Sequence, residues 1–162
     1  MEPIFSQISQ VALVVRNVDE VVHAFWDKYG IGPWKIFILD SNTVEDMIIR
    51  DKKENYKYKQ ATTYIGTTHF EIIEPLDDKS IYAEFLRKHG EGVHHIAFDT
   101  DHDKAMSVFR SYGKIEEQGG SISGKHKFTY VDCTDDLKML VEFNKEEPGF
   151  QMPEPYAIYP EK

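Results

Sequence analysis

The sequence predicts an α+β fold in which two tandem βαβββ modules form a curved, mixed sheet around a cleft. Two observations predict it. Short apolar runs rich in β-branched residues alternate with segments of helical periodicity. The order of a strand, a helix and further strands also occurs twice, within residues 1–76 and again within residues 92–145. We therefore expect one domain of paired modules, with a helical linker over 77–91 and an extended, proline-containing tail over 146–162.

The first module begins with Ile8–Val15, an apolar run that is typical of a buried strand. Asn17 and Glu20 then form a capping-box pattern at the start of a helix. Apolar residues recur along this helix at helical spacing, and Gly30 ends it. The extended stretches predicted after the helix are Trp34–Leu39, Met47–Arg50, Tyr56–Gly66 and Thr68–Pro75.

The second module repeats this plan. Val93–Thr100 is the matching strand, and Asp101 or Asp103 can cap a helix that stops at Gly113. The strands predicted after it are Ile115–Gln118, Lys125–Val131 and Lys138–Asn144. Between the modules, a short helix is expected to be capped by Asp77 or Asp78, to end at Gly90 and to bury Ile81, Phe85 and Leu86.

Composition and charge argue against several classes of protein. The formal net charge of −9 disfavours a nucleic-acid partner, which requires clustered basic residues. No apolar run approaches the roughly 18 residues of a membrane span. Cys133 is the single cysteine, so no internal disulfide can form and a reducing compartment is the expectation. These features predict a cytoplasmic protein that binds neither nucleic acid nor membrane.

Strand alternation places four polar side chains on one face of the predicted sheet. The apolar alternate residues of the first strand should face the helices, which leaves Gln10 on the opposite face. The same argument puts Glu71, His95 and Glu142 on the cleft face of their own strands. Each module thus offers one polar residue on its first strand and one carboxylate within its last. A pseudo-twofold relation between the modules would bring all four together.

These four side chains suit a metal ion. Two carboxylates flanked by apolar residues are costly to bury without a cation. Oxygen donors with one imidazole are typical ligands of a hard-to-borderline divalent ion that keeps open positions for water or substrate. Taken singly, each residue has another interpretation, as a carboxylate at an exposed strand edge or a histidine satisfied within the core. Their matching positions in a repeated pattern favour a shared metal-binding cleft.

One segment resembles the signature of a known superfamily. The run GEGVHHIAF, residues 90–98, is similar to a motif of the vicinal oxygen chelate superfamily. That superfamily includes glyoxalase I, methylmalonyl-CoA epimerase, extradiol dioxygenases and bleomycin-resistance proteins. The stretches FEIIEP, residues 70–75, and LVEF, residues 140–143, resemble the fourth-strand and last-strand motifs of the same superfamily. The resemblance extends over residues 7–145 and includes the paired βαβββ plan.

The resemblance implies a ligand set and its chemistry. Gln10, Glu71, His95 and Glu142 fall where members of the superfamily hold one divalent ion, which is zinc, nickel, cobalt or manganese. Glu142, and after it Glu71, are implied as catalytic bases that remove a proton beside a carbonyl group. His94 precedes the implied ligand, and strand alternation predicts that it points to the other face, packed or supporting the ligand.

The resemblance leaves two branches of the superfamily open for this chain, the epimerases and glyoxalase I. Gln10 stands where most bacterial epimerase-like members have histidine, whereas a Gln, Glu, His, Glu set is similar to that of zinc-type glyoxalase I. The run over residues 89–98 is closest to that of epimerases, and Val14 occupies the position of the arginine expected for glutathione binding. Epimerases use a further glutamate base on an early strand, for which the candidates here are Glu45, Asp51 and Glu54.

Four more side chains are candidates for the surroundings of the ion. Trp34, Tyr56 and Tyr58 either line the cleft or serve ordinary sheet packing. His69 shares a face with Glu71 and is expected to support the metal ligands.

The function expected from this resemblance is that of a metal-dependent isomerase or lyase, like methylmalonyl-CoA epimerase or glyoxalase I (lactoylglutathione lyase). Its substrate would be a small carbonyl or thioester compound, and a homodimer is the expected assembly. One alternative is an extradiol-type dioxygenase, which usually needs two histidines and one glutamate around iron, and Gln10 removes one histidine. The other is a non-catalytic binding protein of the bleomycin-resistance type, although such proteins often lack the ligands.

Overall fold

The chain forms eleven strands and three helices within residues 2–161, the part that the computed structural model describes. In chain order the elements are β1 (Gln7–Val14), α1 (Val18–Tyr29), β2 (Trp34–Leu39), β3 (Val44–Ile49), β4 (Lys52–Lys53), β5 (Tyr58–Ile65), β6 (Thr68–Pro75), α2 (Ile81–His89), β7 (Gly92–Asp99), α3 (His102–Ser111), β8 (Gln118–Ile122), β9 (His126–Cys133), β10 (Met139–Glu146) and β11 (Ala157–Tyr159). No helix among these residues has both the length and the apolar character needed to cross a membrane.

The strands of the described chain belong to one sheet, in the order β11-β2-β5-β6-β1-β7-β10-β9-β8-β3-β4. Within it, β2-β5-β6-β1 from the first half is matched in reverse by β7-β10-β9-β8 from the second half. The first strands of the two halves meet antiparallel at the centre, where Ala12 lies opposite His95. The predicted α+β fold of two βαβββ modules is therefore confirmed.

Local capping chemistry explains where the helices begin. The Asn17 side chain accepts a hydrogen bond from the Glu20 amide at the start of α1, and Asp101 does the same for α3. The cap of α2 is Ser80, and not Asp77 or Asp78 as the sequence predicted. Asp77 is engaged elsewhere, because its carboxylate accepts from the backbone amide of Lys57.

One stretch predicted within the first module pairs with the second half of the sheet. β3 runs antiparallel to β8, from Val44 opposite Ile122 to Ile49 opposite Gln118. A tight turn leads into it, in which the Val44 amide donates to the Asp40 carbonyl over 2.8 Å. β2 and β8 lie at opposite ends of the eight-strand pattern, yet only residues 40–43 separate β2 from β3, the neighbour of β8. The sheet must therefore curve until its two ends approach each other.

Two further boundaries differ from the sequence prediction. The strand expected over Ile115–Gln118 is shifted along the chain to β8, because Gly119 and Gly120 belong to the strand. A Cβ atom on Gly120 would lie 2.6 Å from Cγ1 of Val44, so glycine permits the close approach of β3. In the tail, β11 adds to the sheet as an antiparallel neighbour of β2, whereas an extended segment without pairing was expected.

Three apolar clusters hold the elements together. One packs α1 against the first module and includes Trp34, whose ring contacts Phe25 and Phe70. Of the two interpretations of Trp34, the structure supports packing and not a place in the cleft. A second cluster packs α3 against β9 and β10. The third, here called the inner cluster, joins both modules to α2 and contains Tyr56, Tyr58, Tyr82 and Tyr130.

The contact between β3 and β8 yields a prediction for stability. Gly120→Val places a branched side chain against Val44 and Phe128, so we expect a loss of about 1–3 kcal/mol in the free energy of unfolding. The control is Ser121→Val, on the next residue of the same strand, which is half-buried and should change stability by less than about 0.5 kcal/mol. Urea denaturation measures both, and equal effects would contradict the observed position of β3.

Candidate metal centre

Four adjacent central strands carry the predicted site residues. In the sheet, β6, β1, β7 and β10 are neighbours, and each contributes one residue: Glu71, Gln10, His95 and Glu142 respectively. Ala12 lies opposite both Glu71 and His95, so these two side chains emerge on the same face. The structure thus brings together all four residues that strand alternation selected.

The carboxylates and the imidazole converge closely enough to share one ion. Nε2 of His95 lies 2.8 Å from Oε2 of Glu142 and 3.7 Å from Oε2 of Glu71. One ligand atom from each of the three residues lies within 4.8 Å of the others. His95 is 0%, Glu142 4% and Glu71 5% exposed, so water does not solvate the charges freely.

The side-chain amide of Gln10 occupies the middle of this group. Its Nε2 donates to Oε2 of Glu71 over 3.1 Å and to Oε2 of Glu142 over 3.0 Å, and lies 3.2 Å from Nε2 of His95. Its oxygen faces away, 2.7 Å from Nδ1 of His69. For Gln10 to offer Oε1 to an ion, the amide must turn over, and His69 would then face a donor instead of an acceptor.

Burial dominates the electrostatics of the centre. It raises the pKa of Glu71 well above the usual carboxyl range, and the neighbouring charge of Glu142 raises it further. Burial likewise raises the pKa of Tyr58 and Tyr130, both of which belong to the inner cluster. The raised pKa means that no nearby positive charge compensates the buried carboxylate. A divalent cation would provide that compensation.

The donor set fits a metal ion. Two carboxylates and one imidazole, with the Gln10 amide beside them, match the ligands of borderline divalent ions such as zinc, cobalt, nickel and manganese. His95 also has the support that metal-bound histidines need, because its second ring nitrogen, Nδ1, lies 2.9 Å from Nδ1 of His94. Buried Glu71, His95 and Glu142 can therefore form a metal site.

His94 lies on an unexpected side of its strand. The pairing of β1 with β7 passes from Ala12 opposite His95 to Leu13 opposite Val93, so His94 is an extra residue in a β-bulge. Its ring packs against Tyr82 and Tyr130 of the inner cluster, whereas strand alternation had predicted the opposite face. The bulge lets two consecutive histidines approach the same centre.

Two residues that contact the centre did not stand out in the sequence. Gln60 donates to Oε1 of Glu71, and the ring centroids of Tyr130 and His95 are 4.8 Å apart. Gln60 is a buried polar residue of β5, and because burial does not alternate regularly along this strand, strand alternation gave no signal for it. Tyr130 lies opposite Glu142 in the sheet, which only the pairing of β9 with β10 reveals.

The other expected residues divide into two groups. Tyr56 and Tyr58 are buried in the inner cluster, and His69 reaches the centre through Gln10. The three candidates for a further glutamate base lie outside the centre. Glu45 and Asp51 are exposed, while Glu54 pairs with Lys79 at the surface.

Comparison with known proteins agrees with this fold. A family described as the glyoxalase/bleomycin resistance protein/dioxygenase superfamily matches residues 9–130. A methylmalonyl-CoA epimerase solved in complex with methylmalonyl-CoA and NH4+ is 20% identical, with a TM-score of 0.61, and the match covers 92% of this chain and 99% of that one. The methylmalonyl-CoA epimerase of Mycobacterium tuberculosis is 19% identical, with a TM-score of 0.60 and coverage of 90% and 91%.

A hypothetical protein from Bacillus halodurans is also similar, with 20% identity, a TM-score of 0.61 and coverage of 90% of this chain and 97% of that one. At these identities the likeness shows the shared fold. No curated protein sequence matches the chain significantly.

The central position of Gln10 predicts a stability effect in protein stripped of metal with a chelator. Gln10→Leu removes the donor that two buried carboxylates share, so we expect a loss of about 2–4 kcal/mol in the free energy of unfolding. Gln7→Leu on the same strand is the control, because Gln7 is exposed and its loss should cost less than about 0.5 kcal/mol. Similar urea midpoints for the two variants would show that the Gln10 amide does not hold the centre together.

Proposed function

This chain belongs to the glyoxalase/bleomycin resistance protein/dioxygenase superfamily, and we propose that it is a metal-dependent isomerase that moves a proton on the carbon beside a thioester carbonyl. The observation that carries the proposal is the convergence of Glu71, His95 and Glu142 at the buried centre of the sheet. Such a centre supplies both ligands for a divalent ion and a carboxylate base close to it.

The ligand roles follow from the donor atoms. His95 would bind through Nε2, since Nδ1 is engaged by His94, and the two glutamates through the oxygens that face this nitrogen. Gln10 would complete the set after its amide turns over. A bound divalent ion stabilises negative charge on a carbonyl oxygen as a neighbouring C–H bond loses its proton.

Glu142 is the better candidate for the base. Both oxygens of Glu71 accept hydrogen bonds, one from Gln60 and one from Gln10. In Glu142, by contrast, Oε2 faces Gln10 and His95, and no hydrogen bond within residues 2–161 reaches Oε1. Oε1 of Glu142 is therefore available to take a proton from substrate. Glu71 is the second candidate, and one of its oxygens would have to lose its donor before it could carry a proton.

A thioester substrate suits the chain better than a glutathione adduct. Val14 occupies the position at which the resemblance predicts an arginine for glutathione, and it is 0% exposed within the inner cluster. An apolar, buried side chain cannot bind the carboxylates of glutathione. The similar structures include epimerases described in complex with methylmalonyl-CoA and with 2-nitronate-propionyl-CoA. Epimerisation of an acyl-CoA is accordingly the reaction we assign.

Metal titration tests the proposed centre. We expect the purified, chelator-treated protein to bind one zinc, cobalt, nickel or manganese ion per chain in calorimetry. Glu142→Gln keeps the shape of the side chain but removes its charge, and should weaken binding at least about tenfold. The matched control is Glu146→Gln, an exposed glutamate on the same strand, which should bind as the parent does. Failure of the parent protein to bind any of the four ions would refute metal dependence.

Proton exchange tests the reaction. In D2O, the metal-loaded protein should incorporate deuterium at the α-carbon of methylmalonyl-CoA, followed by mass spectrometry, and Glu142→Gln should abolish it because the base is lost. The hemithioacetal of methylglyoxal and glutathione should not be converted. Turnover of the hemithioacetal without exchange in methylmalonyl-CoA would instead identify a glyoxalase.

A further inference from the structure

The four side chains of the candidate metal centre are closed off from solvent, each at most 6% exposed. The proposed function, on which this inference rests, requires an acyl-CoA thioester to reach the ion, so part of the protein has to move. The walls of the cleft are hydrogen-bonded strands of one sheet, which are costly to separate. The moving part should instead be a segment that crosses the opening of the cleft with few backbone hydrogen bonds.

The opening lies at the end of the sheet where β10 stops and β6 starts. These two ends coincide because β6 runs parallel to β1 and β10 parallel to β7, while β1 and β7 are antiparallel. Along the cleft face, three cross-strand pairs lead from the centre to this rim: Glu142 with Tyr130, Asn144 with Phe128, and Glu146 with His126. The rim of the first module carries His69, and His126 lies close enough to His69 for their charges to interact. The two modules therefore face each other across the opening.

The chain turns back over this rim directly after β10. In the turn from Glu147 to Phe150, the Phe150 amide donates to the Glu147 carbonyl over 3.2 Å. The sequence EPGF suits a type II turn, because proline favours its second position and glycine permits the positive φ of its third, 78° at Gly149. The Phe150 ring stacks on His126 at a centroid distance of 4.8 Å and packs against the inner cluster. Phe150 thus covers the opening from the second module.

Two attachments hold this part of the tail, and the stretch between them lacks backbone pairing. At one end, the Glu147 amide donates to the Lys125 carbonyl over 2.8 Å. At the other, β11 pairs with β2, and the Tyr159 hydroxyl donates to Asp27 of α1 over 2.8 Å. Among residues 2–161, no backbone hydrogen bond joins residues 151–156 to another segment. Because β10 and β2 belong to different halves of the sheet, this unpaired stretch passes from one module to the other.

A polar atom between Phe150 and the centre indicates room for a ligand. Oδ1 of Asn144 is buried and has no hydrogen-bond partner in the described part of the chain. Asn144 lies on the cleft face between Glu142 and the rim. A molecule that extends from the ion to the opening would pass this amide and supply a partner for it, whereas a cleft filled by protein alone leaves it unsatisfied.

We propose that residues 147–150 form a lid on the metal centre, that the Phe150 ring closes it, and that it swings on residues 151–156 to admit the ion and the substrate. Opening withdraws Phe150 from His126 and leaves every strand pairing of the central sheet intact. The closed lid keeps water out of the cleft while a proton is moved on the substrate.

Metal exchange, followed by stopped-flow mixing, tests the lid. Phe150→Ala should speed both the binding of zinc and its removal by a chelator at least about tenfold, because a lid slows entry and exit alike. For the same reason, the equilibrium affinity for zinc should change less than about twofold. Gly149→Ala strains the turn at its positive φ, so it should also speed both steps, several-fold.

Phe5→Ala is the matched control. Phe5 is half-buried and stacked, with its ring centroid 4.5 Å from that of Phe98, but it belongs to the cluster around α3 and lies outside the cleft. This variant should exchange zinc as the parent protein does. If Phe150→Ala does not fold, Gly149→Ala alone decides the test.

The outcomes separate the two proposals. Unchanged zinc exchange in Phe150→Ala, or equal acceleration in Phe5→Ala, would overturn the lid even if zinc binds. A parent protein that binds no divalent ion would overturn the metal-dependent function instead. The lid is then decided on the metal-free protein by diethyl pyrocarbonate and mass spectrometry. His95, which is 0% exposed, should react faster in Phe150→Ala than in the parent or in Phe5→Ala, and equal rates would overturn the lid.

Discussion

The structure depends on two carboxylates, Glu71 and Glu142, that are buried a few ångströms from one another in the middle of the sheet. Mutual repulsion and loss of water both oppose this arrangement, and they must be offset by donors or by a cation. Gln10 and His95 meet that need from the two strands between the glutamates. The pairing of β1 with β7 therefore joins the two modules. It also positions Gln10 and His95, which stabilise the two buried glutamates.

The part of the site that obeys strict strand alternation was predictable from the sequence. Alternation along each strand assigns every second side chain to the cleft face, and this selects Gln10, Glu71, His95 and Glu142. The two register shifts between β1 and β7 leave Ala12 opposite His95, so this assignment still holds at the centre. His94 packs and supports His95 as expected, but the face on which it lies escaped prediction. A bulge is a property of two paired strands, and the residues of one strand do not encode it alone. The predicted strand ends at Gln118 and leaves out Gly119 and Gly120, because the close approach of β3 that requires these glycines is a long-range contact.

The amide of Gln10 connects the metal-free and metal-bound states of the centre. With its nitrogen inward it is a neutral donor shared by two carboxylates, and with its oxygen inward it is a ligand. The two orientations differ by one rotation of the terminal torsion, so the exchange needs no backbone movement. His69, whose Nδ1 faces the amide oxygen, would have to change from donor to acceptor as the amide turns. A histidine can do so by moving a proton between its ring nitrogens.

The β3–β4 hairpin has a consequence for how copies of this chain can assemble. Residues 40–43 link β2 at one end of the eight-strand pattern to β3, which is paired with β8 at the other end. The two halves of a single chain are thus fastened together twice, through β1 and β7 at the centre and through this hairpin at the margin. If two copies exchanged halves, both of these strand pairings would have to break. The hairpin therefore favours a metal centre whose residues all come from one chain.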